Sequence, residues 1–152
     1  MSMFADMRLR RLRPGVITYN AAISACEKGA QWQEALGLFT DLRLRRMRPD
    51  VITYSTAITA CEIGQLWQEA LGVFANMWLR RLAPNVATYG AAISACENGA
   101  RWREALGIFA DIRQRRLGPS VTVYNAAISA CEKGAQWQEA SGMVADMRAR
   151  RL

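Results

Sequence analysis

The chain has 152 residues, about half of them apolar, and carries 20 Lys and Arg against 13 Asp and Glu, for a formal net charge of +7 with no histidine. Without histidine the commonest general base and the commonest metal ligand are missing, and no run of about 18 apolar residues is present to make a membrane-spanning helix. The positive balance favours an anionic partner, most simply nucleic acid, although an acidic protein surface or a membrane would also satisfy it.

The first predicted element is short. Residues 4–14, "FADMRLRRLRP", parallel "FADIRQRRLGP" at 109–119, so 1–15 reads as the second helix of a partial unit. The next 35 residues, 16–50, form a unit that returns at 51–85, at 86–120 and, shortened, at 121–152. A phrase marks each return: "TYNAAISACE", "TYSTAITACE", "TYGAAISACE", "VYNAAISACE". Self-similarity at such a period predicts stacked supersecondary units.

Within a unit the pattern is helix, turn, helix. Tyr19, Ile23 and Cys26 are spaced i, i+4, i+7 and make one apolar stripe of the first helix. Gly29 breaks the chain. The second helix runs from about Trp32 to Arg45, with Trp32, Ala35, Leu36, Phe39 and Leu42 on its buried face. Arg43, Arg45 and Arg46 lie at its C-terminus, where cations suit the dipole, and Pro49 stops it. Gly37, Gly72, Gly107 and Gly142 fall inside second helices, where each costs about 1 kcal/mol against alanine; the expectation is close helix–helix approach at those positions. Either Thr18 or an Asp50-type residue would serve as cap to a first helix.

Cys26, Cys61, Cys96 and Cys131 occur once per unit, without a C-x-x-C pair or a histidine. That spacing argues against zinc and disulfides and for buried, reduced thiols, hence a reducing compartment. Glu27, Glu62, Glu97 and Glu132 recur in the same way and read as surface or intra-repeat partners. One such hairpin cannot bury both its faces, so the units must stack. The fold class is therefore all-α: a solenoid of helix-turn-helix repeats with about nine helices.

One face of the first helix does not repeat faithfully. Ile17, Asn20, Ser24 and Lys28 share the side opposite the tyrosine stripe. The residue after the tyrosine changes from Asn20 to Ser55, Gly90 and Asn125 while its surroundings are kept.

"VITYNAAISACEKGAQWQEALGLFTDLRLRRMRPD" (16–50) resembles a pentatricopeptide repeat, through Val16, Thr18, Tyr19, Asn20, Gly29, Glu34, Ala35, Leu36, Phe39, Leu42, Pro49 and Asp50. The uniform length resembles the class made only of 35-residue repeats. The resemblance implies a right-handed solenoid that binds single-stranded RNA, one base per repeat, in a groove lined by first helices. It implies that the base is chosen by the residue after the tyrosine and by the last residue of the unit: Asn20 with Asp50, Ser55 with Asn85, Gly90 with Ser120, and Asn125. It further implies packing on the base by Ile17, Ile52, Ala87 and Thr122. Lys28 and Lys133 are then the expected phosphate partners, with Ile63 and Asn98 interrupting them. Carried over pair by pair, the preference is 5′-U-A-N-Y-3′, with no reader in the third unit.

Three departures from the family pattern stand out. Arg46, Arg81, Arg116 and Arg151 occupy a frequent glycine position, and Val123 replaces a threonine; both are expected to touch only loop and cap detail. Gly90 is expected to touch function. Most of the Lys and Arg lie at second-helix ends, as solvated termini or as a basic edge for RNA or a ribonucleoprotein. No cofactor is implied, and four near-copies without a unique acid–base cluster do not describe an enzyme. The alternative to RNA reading is a scaffold packed against protein subunits of a larger assembly. Localisation to a mitochondrion or plastid follows from the resemblance alone.

Overall fold

The computed structural model describes residues 13–152 together with Asp6 and Arg10. The helix expected within 1–15 therefore lies outside the described residues. Eight helices of 13 residues follow: α1 (Val16–Lys28), α2 (Trp32–Leu44), α3 (Val51–Ile63), α4 (Trp67–Leu79), α5 (Val86–Asn98), α6 (Trp102–Gln114), α7 (Val121–Lys133) and α8 (Trp137–Ala149). Each unit is one hairpin. First helices pack on one another along the array, and each second helix packs on its own first helix and the next one. The chain is thus a two-layer stack whose first helices form a continuous layer.

The starts of the first helices settle the capping question. Asp50, Asn85 and Ser120 hold extended backbone, and each side chain accepts a hydrogen bond from the amide three residues on. Asp50 and Thr53 form a reciprocal capping box. Gly15 precedes α1 without a side-chain cap.

The ends of the helices share one device. After α1, Ala30 N donates to Glu27 O and Gln31 N to Cys26 O, the paired bonds of a Schellman motif. The left-handed residue is Ala30, Gln65, Ala100 or Ala135 after first helices, and Arg46, Arg81, Arg116 or Arg151 after second helices. Gly29, Gly64, Gly99 and Gly134 stand one residue earlier, at ordinary negative φ. Their need for glycine is therefore not conformational.

It is spatial. A Cβ on Gly64 would lie 2.8 Å from the Trp32 ring, and one on Gly99 or Gly134 would fall inside the rings of Trp67 and Trp102. Trp32, Trp67 and Trp102 thus each lie across the end of the next unit's first helix, and only a glycine leaves room there. The expectation for the other glycines is corrected. Gly37, Gly72, Gly107 and Gly142 are exposed, and a Cβ on any of them would meet nothing within 4 Å. Close approach occurs at the hairpin turn because the indole, and not the helix backbone, is what arrives there.

The tyrosine stripe holds the core. Tyr19, Tyr54, Tyr89 and Tyr124 are fully buried, with Ile23, Ile58 and Ile93 beside three of them. Phe39, Phe74 and Phe109 meet the tyrosine of the following unit edge-on, with centroids 5.5, 5.4 and 5.0 Å apart. Each phenol also reaches its own second helix, donating to Asp41, Asn76, Asp111 or Asp146. Three of those carboxylates bind an arginine one turn on: Arg45, Arg115 and Arg150, at 2.9, 3.0 and 3.1 Å. Some of the terminal arginines therefore belong to the hairpin's own network. Arg115 further stacks 4.0 Å over Trp78, the tryptophan that falls outside the repeat's phase.

Cys61, Cys96 and Cys131 are buried and Cys26 half-buried, all as free thiols. Burial, reinforced by Glu69 and Glu104, pushes Cys61 up to about 11 and Cys96 up to about 12, which leaves them thiols rather than thiolates.

Two glycine substitutions separate the two environments. Gly99→Ala forces a methyl into Trp67 and is expected to cost about 1–3 kcal/mol. Gly107→Ala adds a methyl in open space within a helix and is expected to gain up to about 1 kcal/mol. Melting temperatures that move in opposite directions are the expected result.

Candidate nucleic-acid interface

The face opposite the tyrosines lies open along the layer of first helices. Ile17 is 86% exposed and Ile52 59%, and Ala87 and Thr122 are also exposed. Asn20, Ser55 and Gly90 are half-buried one turn further on, and Asn125 is exposed.

The structure brings the first pair of predicted readers together. Asn20 Nδ2 donates to both carboxylate oxygens of Asp50 at 3.1 Å, although 30 residues separate them. The cause is the stacking: Asp50 caps α3, and α3 lies against α1. Burial alone would raise the Asp50 carboxyl. The amide and hydroxyl of Thr53, the Asn20 amide and the Ile52 amide outweigh it and hold the group below its usual range.

Thr53, fully buried, completes this cluster. Its hydroxyl lies 2.6 Å from Asn20 Oδ1 and 2.8 Å from Asp50 Oδ1, and it accepts from Asp50 N at 3.1 Å. In the second pair, Asn85 Oδ1 accepts from the amide and the hydroxyl of Thr88 at 2.9 and 2.8 Å. Ser55 Oγ donates to Val51 O at 2.8 Å and lies 2.5 Å from Thr88 Oγ1. In the third pair, Ser120 Oγ accepts from Val123 N at 3.3 Å, and a Cβ on Gly90 would touch Val123 Cγ2 at 3.4 Å. Val123 is therefore cap detail, as expected, and it also adjoins position 90, a contact the sequence signalled by changing positions 90 and 123 together.

The two lysines fare differently. Lys28 is exposed at the end of α1. Lys133 donates to Glu97 O at 3.2 Å and Glu97 Oε1 at 3.1 Å, so it is held by the preceding unit. Glu62 and Glu97 are likewise inter-repeat partners and not intra-repeat ones, while Glu132 is exposed as a surface residue. Ser129 Oγ donates to Glu97 at 2.8 Å, and Ser94 bonds Glu62. Burial first, then the charges of Glu97 and Glu27, push the Glu62 carboxyl above its usual range against the Ser94 bond. This glutamate row was missed as a feature of the face, although its recurrence every 35 residues was the available signal.

Among the described residues no cluster of side chains fits a metal ion, and no helix is long and apolar enough to cross a membrane.

Comparison with known proteins fits this geometry. A PPR repeat family model matches residues 14–63, a pentatricopeptide repeat domain model 93–133, and a PPR repeat model both 52–82 and 122–152. The chain belongs to the pentatricopeptide repeat family. No match was found among curated protein sequences. Among solved structures, PPR10 in complex with an 18-nt psaJ RNA element is 25% identical with a TM-score of 0.76, over 91% of this chain and 20% of that one. PPR10 from maize is 25% identical with a TM-score of 0.73, over 96% of this chain and 21% of that one. The PPR domain of Arabidopsis thaliana protein-only RNase P 1, in complex with tRNA, shares the fold at 17% identity, with a TM-score of 0.77 over 85% of this chain and 68% of that domain. The chain thus spans about a fifth of the length of PPR10.

The raised Glu62 has a testable sign. A carboxyl whose folded value lies above its unfolded value opposes folding when ionised, and that penalty disappears as pH falls toward the unfolded value. Glu62→Gln is expected to raise the melting temperature at pH 7. The difference from the parent is expected to close below about pH 4.

Proposed function

We propose that the chain binds single-stranded RNA through the exposed face of its first helices, one base per unit, with the order 5′-U-A-N-Y-3′. The observation that carries this reading is the Asn20–Asp50 pair, which sets a donor beside an acceptor between the exposed Ile17 and Ile52. An unstacked base presents its edge to such a pair and its face to the isoleucines.

Chemistry accounts for the choices. An amide has two hydrogens, and the Asn20 hydrogen not used on Asp50 is available to a carbonyl of the base. The carboxylate accepts only. Uracil answers with a carbonyl and an N3–H; cytosine has a lone pair at N3 facing the carboxylate. In the second unit Asn85 Oδ1 is used on Thr88, so its amide hydrogens remain for the base beside the Ser55 hydroxyl. That suits the N1 acceptor and N6–H donor of adenine better than the N1–H and O6 of guanine. Gly90 has no side chain to read an edge. Asn125 favours a pyrimidine.

The family setting and the RNA-bound PPR10 relative support this reading, and the family expectation places it in an organelle. The positive charge at the second-helix ends adds attraction without selectivity.

Short oligonucleotides of order U-A-x-C and A-U-x-C test the assignment. Two wrong bases leave polar groups unpaired at about 1–3 kcal/mol each, so U-A-x-C is expected to bind at least tenfold more tightly, a factor of roughly 1.4 kcal/mol or more. Equal affinity by fluorescence anisotropy would sink the assignment. Log affinity is expected to fall linearly with log salt for both.

A further inference from the structure

We propose that the third residue of each unit is a positioning residue for the base reader of the unit before it, so that Thr53 orients Asn20, Thr88 orients Ser55, and Val123 matches the silent Gly90. The inference rests on the base-reading proposal for what it controls, and on side-chain geometry alone for its existence.

The geometry recurs at one register. Thr53 Oγ1 meets Asn20 Oδ1 and Thr88 Oγ1 meets Ser55 Oγ, each pair 33 residues apart. Both threonines are fully buried, and Val123 is 2% exposed. At the third junction the hydroxyl and the polar reader disappear together, and a methyl of Val123 stands where Gly90 leaves space.

An asparagine amide has two orientations, which differ in whether its donor or its acceptor faces the groove. The carboxylate of Asp50 only accepts, so it takes Nδ2. Oδ1 is then turned toward Thr53, whose single hydroxyl hydrogen faces Asn20 Oδ1 at 2.6 Å and Asp50 Oδ1 at 2.8 Å; given to the shorter contact it satisfies the amide oxygen, while Asp50 Oδ1 keeps the Thr53 amide at 2.9 Å. Because the same hydroxyl is bonded to the backbone of Asp50, one buried atom holds both members of the reading pair. The result is a fixed donor–acceptor order toward the base. Without the hydroxyl, Oδ1 loses its partner and gains by turning outward, where the N4–H of cytosine satisfies it. A polar side chain at 90 would face the same deficit against Val123.

The arrangement predicts a specificity phenotype from a buried residue that touches no RNA. In the full chain, Thr53→Val is expected to reduce the preference for uracil over cytosine at the first base by about tenfold, while Thr53→Ser keeps it. At the third base, Gly90→Asn with Ser120→Asp is expected to discriminate by no more than about twofold. Adding Val123→Thr is expected to create a uracil preference of about tenfold. Circular dichroism melts establish that each variant is folded.

An RNA-independent measurement accompanies these: the side-chain amide signals of Asn20 in a ¹⁵N spectrum. They are expected to shift and broaden in Thr53→Val and to stay in place in Thr53→Ser. Unchanged Asn20 signals in Thr53→Val overturn the inference. So does a parent that prefers uracil at the first base when Thr53→Val, folded, prefers it equally. If the parent shows no preference while the Asn20 signals move, the base-reading proposal is what fails and the positioning role stands.

Discussion

A phenol that must satisfy two neighbours at once sets the geometry of this chain. Each tyrosine from Tyr54 onward is buried against the phenylalanine of the previous unit and hydrogen-bonded to the second helix of its own. The ring supplies apolar area and the hydroxyl supplies direction. Together they fix how far the first helix is rotated about its axis. The next residue along is then turned about 100° away, toward the junction with the following unit. Asn20, Ser55 and Gly90 take their direction from the tyrosine beside each, whose hydroxyl is bonded to its own second helix.

That explains which parts of the fold were legible. The hairpins, the tyrosine stripe and the exposed isoleucines all follow from spacing within one unit, and sequence periodicity reports such spacing directly. The misjudged features involve pairs about 32–33 residues apart. A glycine in a helix shows that something is unusual, but its neighbour across the interface is invisible to a single unit. So Gly107 was expected at a close contact and stands in the open, while Gly99, at the position where Gly29 was expected only to break the chain, makes room for Trp67. Val123 was legible in principle. Its change coincides with Gly90, and only the structure shows that the two positions touch. Spacing put Asn20, Ser55 and Gly90 on one face of the first helices, and the resemblance paired Asn20 with Asp50; that the two meet because Asp50 caps the next first helix was not visible within one unit.

Charge is distributed unevenly between the faces. The first helices carry the glutamate row, with Glu97 holding Lys133 and Glu62 pressed by its like-charged neighbours. The second helices end in arginines, some anchored by the acids that also receive the tyrosine hydroxyls. A polyanion is therefore attracted mainly from the second-helix edge, over a range set by the Debye length of roughly 8 Å at physiological salt. Contacts at the first-helix face act only at bonding distance. Under the proposed reading, attraction and selectivity fall to different helices and can be altered separately.

The last residue of each unit is constrained twice. Asp50, Asn85 and Ser120 must each end a turn and cap the following helix. Short polar side chains do this well, and their loss costs about 1 kcal/mol. The same three side chains differ in what they leave over: the carboxylate offers only acceptors, the amide keeps its donors when its oxygen is spent on the cap, and the hydroxyl offers one of each. A larger reader such as Gln or Arg would reach a base more easily, but it would leave the helix end unsatisfied. The range of choices at this position is therefore set by helix capping, and under the proposed reading a base meets only the hydrogen-bonding capacity that the cap does not use.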